Sequence, residues 1–105
     1  MLRRGYLYWV FLDKRRPALL LSPDARNDNG RDVIIIPAST AMREGPWHVR
    51  LKKGEGGLPA PSVLLCEQIT TVPKDALGPA PLGGVLSFAR IGEVERAVLR
   101  AIGVP

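Results

Sequence analysis

Ten prolines and eleven glycines fall between short apolar runs along the whole of this chain. Proline cannot donate to a sheet ladder and both residues break helices, so such spacing leaves room mainly for short strands joined by tight loops. Strands are expected over 6–13, 17–21, 32–37, 48–51, 62–66 and 69–72. Loops are expected over 40–47, 52–61 and 78–84, and 22–30 is turn-rich, with room for one helical turn at 24–27. The period changes only at the end, where Ile91, Val94, Val98, Leu99 and Ile102 follow helical spacing. Ser87 suits the N-cap of that helix, and Gly103, with Pro105 beyond it, suits its end. Glu93, Glu95, Arg96 and Arg100 make its exposed face, with Glu93 and Arg96 spaced i,i+3. The expected fold is mainly β: one domain over 1–105, a small barrel or sandwich with the C-terminal helix covering one face or mouth.

The formal charge of +5 is uneven. Residues 1–74 hold twelve basic and seven acidic side chains, net +5; residues 75–105 hold three of each. The basic surface therefore belongs to the strand-rich part. It fits an anionic partner such as nucleic acid, and it also fits simple solubility. Cys66 is the single cysteine, so no internal disulfide forms, and its setting in Val63-Leu64-Leu65-Cys66 reads as a packed thiol rather than a nucleophile. One Cys and one His do not make a zinc site, and no cofactor is expected. The basic start of the chain is followed by charged residues, unlike a signal peptide, and no apolar run nears the ~20 residues of a membrane helix. A cytoplasmic protein without membrane contact is the expectation.

Three places hold candidate chemistry. Lys14-Arg15-Arg16 forms a cationic bend between two apolar runs, and Pro17 biases Arg16 toward extended geometry. A guanidinium so held presents fixed donors to a phosphate, although a solvated hairpin tip accounts for the same residues. Ser39 and Thr40 leave the end of the third strand, where hydroxyls can donate to a phosphate or merely satisfy a turn. Glu67 and Gln68 interrupt a long β-run and must face solvent or find partners. His48 has no carboxylate close to it in sequence, and Gly54, Gly56 and Gly57 make no phosphate-binding pattern. Trp9 and Trp47 suit packing more than base stacking.

Taken in order, Arg3-Arg4-Gly5-Tyr6-Leu7-Tyr8-Trp9-Val10, Arg16-Pro17-Ala18-Leu19-Leu20-Leu21-Ser22, Val33-Ile34-Ile35-Ile36-Pro37-Ala38-Ser39-Thr40, Trp47-His48-Val49-Arg50-Leu51 and Ser62-Val63-Leu64-Leu65-Cys66-Glu67-Gln68-Ile69 resemble the MazF/PemK toxins. The terminal Leu86-Ser87 and the amphipathic helix after it are similar too. The resemblance implies a small SH3-like β-barrel of the CcdB/Kid/MazF type with a C-terminal α-helix, acting as a homodimer. It implies a metal-independent, sequence-specific endoribonuclease that leaves 2′,3′-cyclic phosphate and 5′-hydroxyl ends on single-stranded RNA. It further implies a MazE-like, partly disordered antitoxin as partner. Carried onto this chain, the catalytic positions are Arg16, Ser39 and Thr40. The RNA contacts are Lys14, Arg15, Arg43, His48, Glu67 and Gln68.

The chain departs from the family at its first loop. Asp13-Lys14-Arg15-Arg16-Pro17 is too short for the Gly-(Ser/His)-Glu-Gln motif that usually precedes the Arg-Pro pair, and Leu65 stands where some relatives carry arginine. Two other functions are compatible with such a barrel. A CcdB-like gyrase poison relies on the end of the last helix, which here is Gly103-Val104-Pro105 without a tryptophan or charge cluster. A non-catalytic RNA-binding barrel would fit the shortened loop.

Overall fold

The alternation in 6–13 builds a hairpin. In the computed structural model, which describes all residues from Met1 to Pro105, β1 (Leu7–Phe11) pairs antiparallel with β2 (Arg15–Leu20), Leu7 opposite Leu19 and Phe11 opposite Arg15. A short helix, α1 (Asp24–Asn29), leads to β3 (Asp32–Ser39), the longest strand. Two sheets share β3. It pairs with β2 on one edge and with β6 (Thr70–Pro73) on the other, and its last residues, Ala38 and Ser39, pair with β5 (Ser62–Leu65). β5 in turn pairs with β4 (His48–Leu51). The order is β1-β2-β3-β5-β4, with β6 beside β3.

An open β1 edge would invite pairing with another chain. The proline- and glycine-rich connector covers it: the amides of Gly78, Leu82 and Leu86 donate to the carbonyls of Trp9, Leu7 and Gly5 at 2.8, 2.8 and 2.9 Å. Where this strap crosses the 52–61 loop, the two backbones touch. A Cβ on Gly83 would stand 2.7 Å from Gly57 Cα, so both positions need glycine.

Strand side chains alternate between faces, and so the sheet carries a core on each. Leu7, Leu19, Ile36 and Ala38 face a cluster of 13 buried residues, while Tyr8, Val10, Ala18, Leu20, Val33 and Ile35 face one of 8. α2 (Phe88–Ala101) packs Ile91, Val94 and Ala97 on the larger cluster. Burying the first two contributes about 1.5–3 kcal/mol each. Ser87 Oγ accepts from the Arg90 amide at 3.1 Å, as its N-cap position requires. At the other end Gly103 takes φ +86° and the Val104 amide returns to Leu99 O at 2.8 Å, closing the helix through a left-handed residue.

Several details differ from the sequence reading, among them the ends of β1, β5 and β6 and the run of α1 to Asn29. β2 starts at Arg15 rather than 17, because the Arg15–Phe11 pair extends the hairpin. β3 runs on to Ser39 rather than stopping at 37, because β5 supplies a second partner. Leu99 and Ile102 stay exposed, at 43% and 64%, since the helix seam passes through Ala97 instead. Glu93 pairs with Arg90 at 3.1 Å and not with Arg96, because Arg90 is already fixed by two 2.9 Å bonds to Glu55. No helix is long and apolar enough to cross a membrane.

Candidate functional site

Two prolines open the sheet where the candidate residues meet. The Leu21 amide donates to Ile34 O at 2.9 Å, so odd-numbered residues of β2 turn their amides toward β3. Position 17 has the same orientation, but Pro17 has no N–H to give. The β2–β3 ladder accordingly ends at Ala18–Pro37. Continued by two residues, its register sets Arg16 opposite Ser39 across the splayed strand ends. Pro37 stands at the second break, where β3 leaves its pairing with β6 at Ile35 and takes up β5 at Ala38.

Clefts lie on both sides of this gap. A first cleft of about 280 Å³ is lined by Trp9, Lys14, Arg15, Arg16, Ser39 and Thr40, with Pro17, Ala38, Pro59 and Ser62. A second, of about 580 Å³, is lined by Leu12, Asp13, Lys14, Arg16, Ser39, Ala41, Arg43, Leu65 and Gln68. Lys14, Arg16 and Ser39 belong to both and form the saddle between them. Arg43 also borders a shallow hollow with Glu44, Gly45, His48 and Arg50. Seven of the nine expected site residues therefore line two joined clefts, although they come from four separate stretches of chain.

Arg16 is the least exposed of the cations at the clefts. Its side chain is 18% exposed, and its Nη2 lies 3.3 Å from the Oδ1 of Asp13, itself 77% exposed. Its Nε is buried with no acceptor. A buried donor left unmade costs about 1–3 kcal/mol, so the fold holds this guanidinium in place at some energetic cost. Lys14, Arg15 and Arg43 make no ion pair. The Arg15 guanidinium instead lies 4.2 Å from the Trp9 ring centroid, a cation–π contact that orients it at the cleft wall. Ser39 Oγ accepts from the Ala41 amide at 3.1 Å. The turn role open to Ser39 is thus real, and it leaves the hydroxyl proton available for donation.

His48 and Glu67 are placed differently. His48 Nε2 and Glu67 Oε2 are 3.1 Å apart, and the imidazole is 8% exposed with its Nδ1 buried and unpartnered. The carboxylate that His48 lacks in its own neighbourhood comes from the Cys66–Gln68 turn. Of that turn only Gln68 reaches the second cleft. Cys66 is fully buried, and burial first, then the nearby Glu67 charge, push its thiol up to about 12, which suits packing and not nucleophilic work. Pro59, from the 52–61 loop, and Ser62, the first residue of β5, also line the first cleft, although neither carries a site signal in the sequence. Trp9 as a cleft wall has one legible signal, its same-face alternation with Phe11 on β1.

The sequence model of the family described as "PemK-like, MazF-like toxin of type II toxin-antitoxin system" matches residues 3–102. Among solved structures, the chain is similar to an endoribonuclease from a mycobacterial species, with 30% identity, a TM-score of 0.83, and coverage of 99% of this chain and 93% of that one. An endoribonuclease in complex with its cognate antitoxin, also mycobacterial, has 28% identity, a TM-score of 0.86 and coverage of 100% and 98%. The Mycobacterium tuberculosis toxin MazF-mt6 has 26% identity, a TM-score of 0.86 and coverage of 95% and 98%. No curated protein matches the sequence.

Proposed function

The chain belongs to the PemK-like, MazF-like toxins of type II toxin–antitoxin systems, and from that premise we propose that it is an endoribonuclease cutting single-stranded RNA at the Arg16–Ser39 saddle. The observation that carries this reading is that Arg16 and Ser39 line both clefts together, with two further unpaired cations, Lys14 and Arg15, at the same bend. Cleavage requires the 2′-oxygen to attack the adjacent phosphorus while the P–O5′ bond breaks, giving a 2′,3′-cyclic phosphate and a 5′-hydroxyl. Nothing has to be supplied from outside the RNA except orientation, proton movement and charge neutralisation.

In this reading Arg16 takes the negative charge that builds on the non-bridging oxygens. A guanidinium holds its own proton too tightly to serve well as an acid, so its part is electrostatic. Ser39 donates its hydroxyl to one of the same oxygens, with the Ala41 amide fixing its rotamer. Thr40 lines the first cleft beside it. Lys14, Arg15 and Arg43 hold flanking phosphates, which sets the register of the strand without reading it. Gln68 meets base edges in the second cleft, and the His48–Glu67 pair holds the turn that carries it.

A similar structure at 28% identity is a complex with a cognate antitoxin. We extend that to this chain as a MazE-like, partly disordered antitoxin that covers the clefts of a homodimer. The test is to map cut sites and end chemistry on a long mixed-sequence RNA in EDTA, wild type against Arg16→Ala. Cyclic-phosphate ends made only by the wild type support the reading. Cleavage that survives Arg16→Ala, or that needs added metal, overturns it, and blocked gyrase supercoiling with intact RNA moves the protein to the other toxin class.

A further inference from the structure

A further cleft, of about 370 Å³, opens on the far side of Trp9. Trp9, Phe11 and Arg15 form one wall, and the strap from Asp75 to Ala80 forms the other. Trp9 and Arg15 also line the first cleft, so the two adjoin. The hollows therefore follow one another along the surface, and a cation stands at every junction. Arg15 lies between this cleft and the first, Lys14 and Arg16 between the first and second, and Arg43 between the second and the shallow hollow. A single-stranded polynucleotide repeats in the same way, with a phosphate between each base and the next.

The walls of this cleft suit a base more than a phosphate. Trp9 and Phe11 share a face of β1, two residues apart, and Phe11 is 70% exposed. Arg15 is the cross-strand partner of Phe11, yet its guanidinium lies over Trp9, which leaves the Phe11 ring uncovered. Asp75 stands at the opposite wall, where it would repel a phosphate but accept from an amino group. Carboxylates accept well from the N4 amino group of cytosine, whereas uracil shows a carbonyl at that position.

We infer that this cleft is a base subsite of the RNA track. It takes one nucleobase flanking the scissile phosphate, stacked on Phe11 and Trp9, with Arg15 on the adjoining phosphate and Asp75 favouring cytosine over uracil. The inference rests on the endoribonuclease reading for its substrate. Its own signals are the aromatic wall, the carboxylate facing it and the shared cation.

Phe11→Ala and Asp75→Asn alter side chains outside both cores, so both variants should melt with the wild type, and thermal unfolding checks this. On a mixed-sequence transcript, Phe11→Ala should lower kcat/KM at least about five-fold, the low end of what stacking of one base contributes. Asp75→Asn should relax the choice between cytosine and uracil at one position beside the cut. Unchanged rates and cut-site profiles in both variants overturn the inference. A second measurement stands apart from catalysis: with Trp47→Phe, Trp9 is the only tryptophan and reports on the cleft. Titration with oligo(rC) should quench Trp9 fluorescence at lower concentration than oligo(rU), and Phe11→Ala should weaken the effect. Quenching without cutting would count against the catalytic reading while supporting the subsite. Equal, weak responses to both oligonucleotides overturn the subsite, as does a Phe11→Ala protein that loses antitoxin affinity with RNA binding intact.

Discussion

Away from the β2–β3 gap, four arginines are held by carboxylates. Arg3 lies 2.9 Å from Asp28, Arg4 lies 2.9 Å from Glu95, Arg26 lies 2.6 Å from Asp32, and Arg90 is shared between Glu55 and Glu93 at 2.9 and 3.1 Å. At the β2–β3 gap, Lys14, Arg15 and Arg43 have no such partner, and Arg16 keeps one long contact to an exposed aspartate. The acids respond to the difference. The Arg4 backbone amide, then Asn27 and Arg3, hold the Asp24 carboxyl below its ordinary value, and Arg90 above all does the same for Glu55. A guanidinium already bonded to a carboxylate is part of the scaffold. One without a partner keeps its donors for a phosphate, and at the gap three such cations, Lys14, Arg15 and Arg43, stand around the two clefts.

That contrast breaks most sharply at Arg16. Arg16→Ala should lower RNA cleavage by about 10²–10³-fold, as loss of one transition-state donor does, with a thermal midpoint close to wild type. A fall in both together would place Arg16 with the scaffold. Ser39→Ala should cost about ten-fold in the same assay, with Ser39→Thr active because the hydroxyl returns. Wild-type rates in Ser39→Ala would leave only the Ala41 turn as its role. Removing Lys14 and Arg15 together should flatten the salt dependence of RNA binding by about 0.7 in slope for each phosphate these cations neutralise, and an unchanged slope would deny them that role.

The scaffold side is tested by Arg90→Ala, which should cost about 1–2 kcal/mol, a drop on the order of 5–15 °C in thermal midpoint, and leave cleavage per folded molecule unchanged. Its pH dependence follows from Glu55, whose carboxyl is depressed in the fold below its ordinary 4.5. The stability it contributes is complete above that value and is lost as pH falls toward the depressed one, so wild type and Arg90→Ala should converge in acid. The smallest effect is at Cys66. With its thiol pushed up to about 12, native protein should resist thiol reagents at pH 8, and unfolded protein should react at once.

Much of the fold is legible because local rules and tertiary contacts agree. Ser87 and Gly103 bracket α2 as capping chemistry demands, and His48–Leu51 is a strand in both readings. Arg16, Ser39 and Thr40 can be named from the order of motifs, but their meeting depends on a register between β2 and β3 that no local pattern displays. The Glu67 partner of His48 is distant for the same reason. The helical period misleads at Leu99 and Ile102, where apolar residues continue it beyond the surface they could cover.

Pro17 leaves a consequence for how this protein can change over generations. Any other residue there brings an N–H that can complete the missing rung and let β2 and β3 zip to their ends. Such a substitution adds a sheet hydrogen bond while closing the space that Arg16 and Ser39 line. At this position selection for a tougher fold and selection for a working toxin pull in opposite directions.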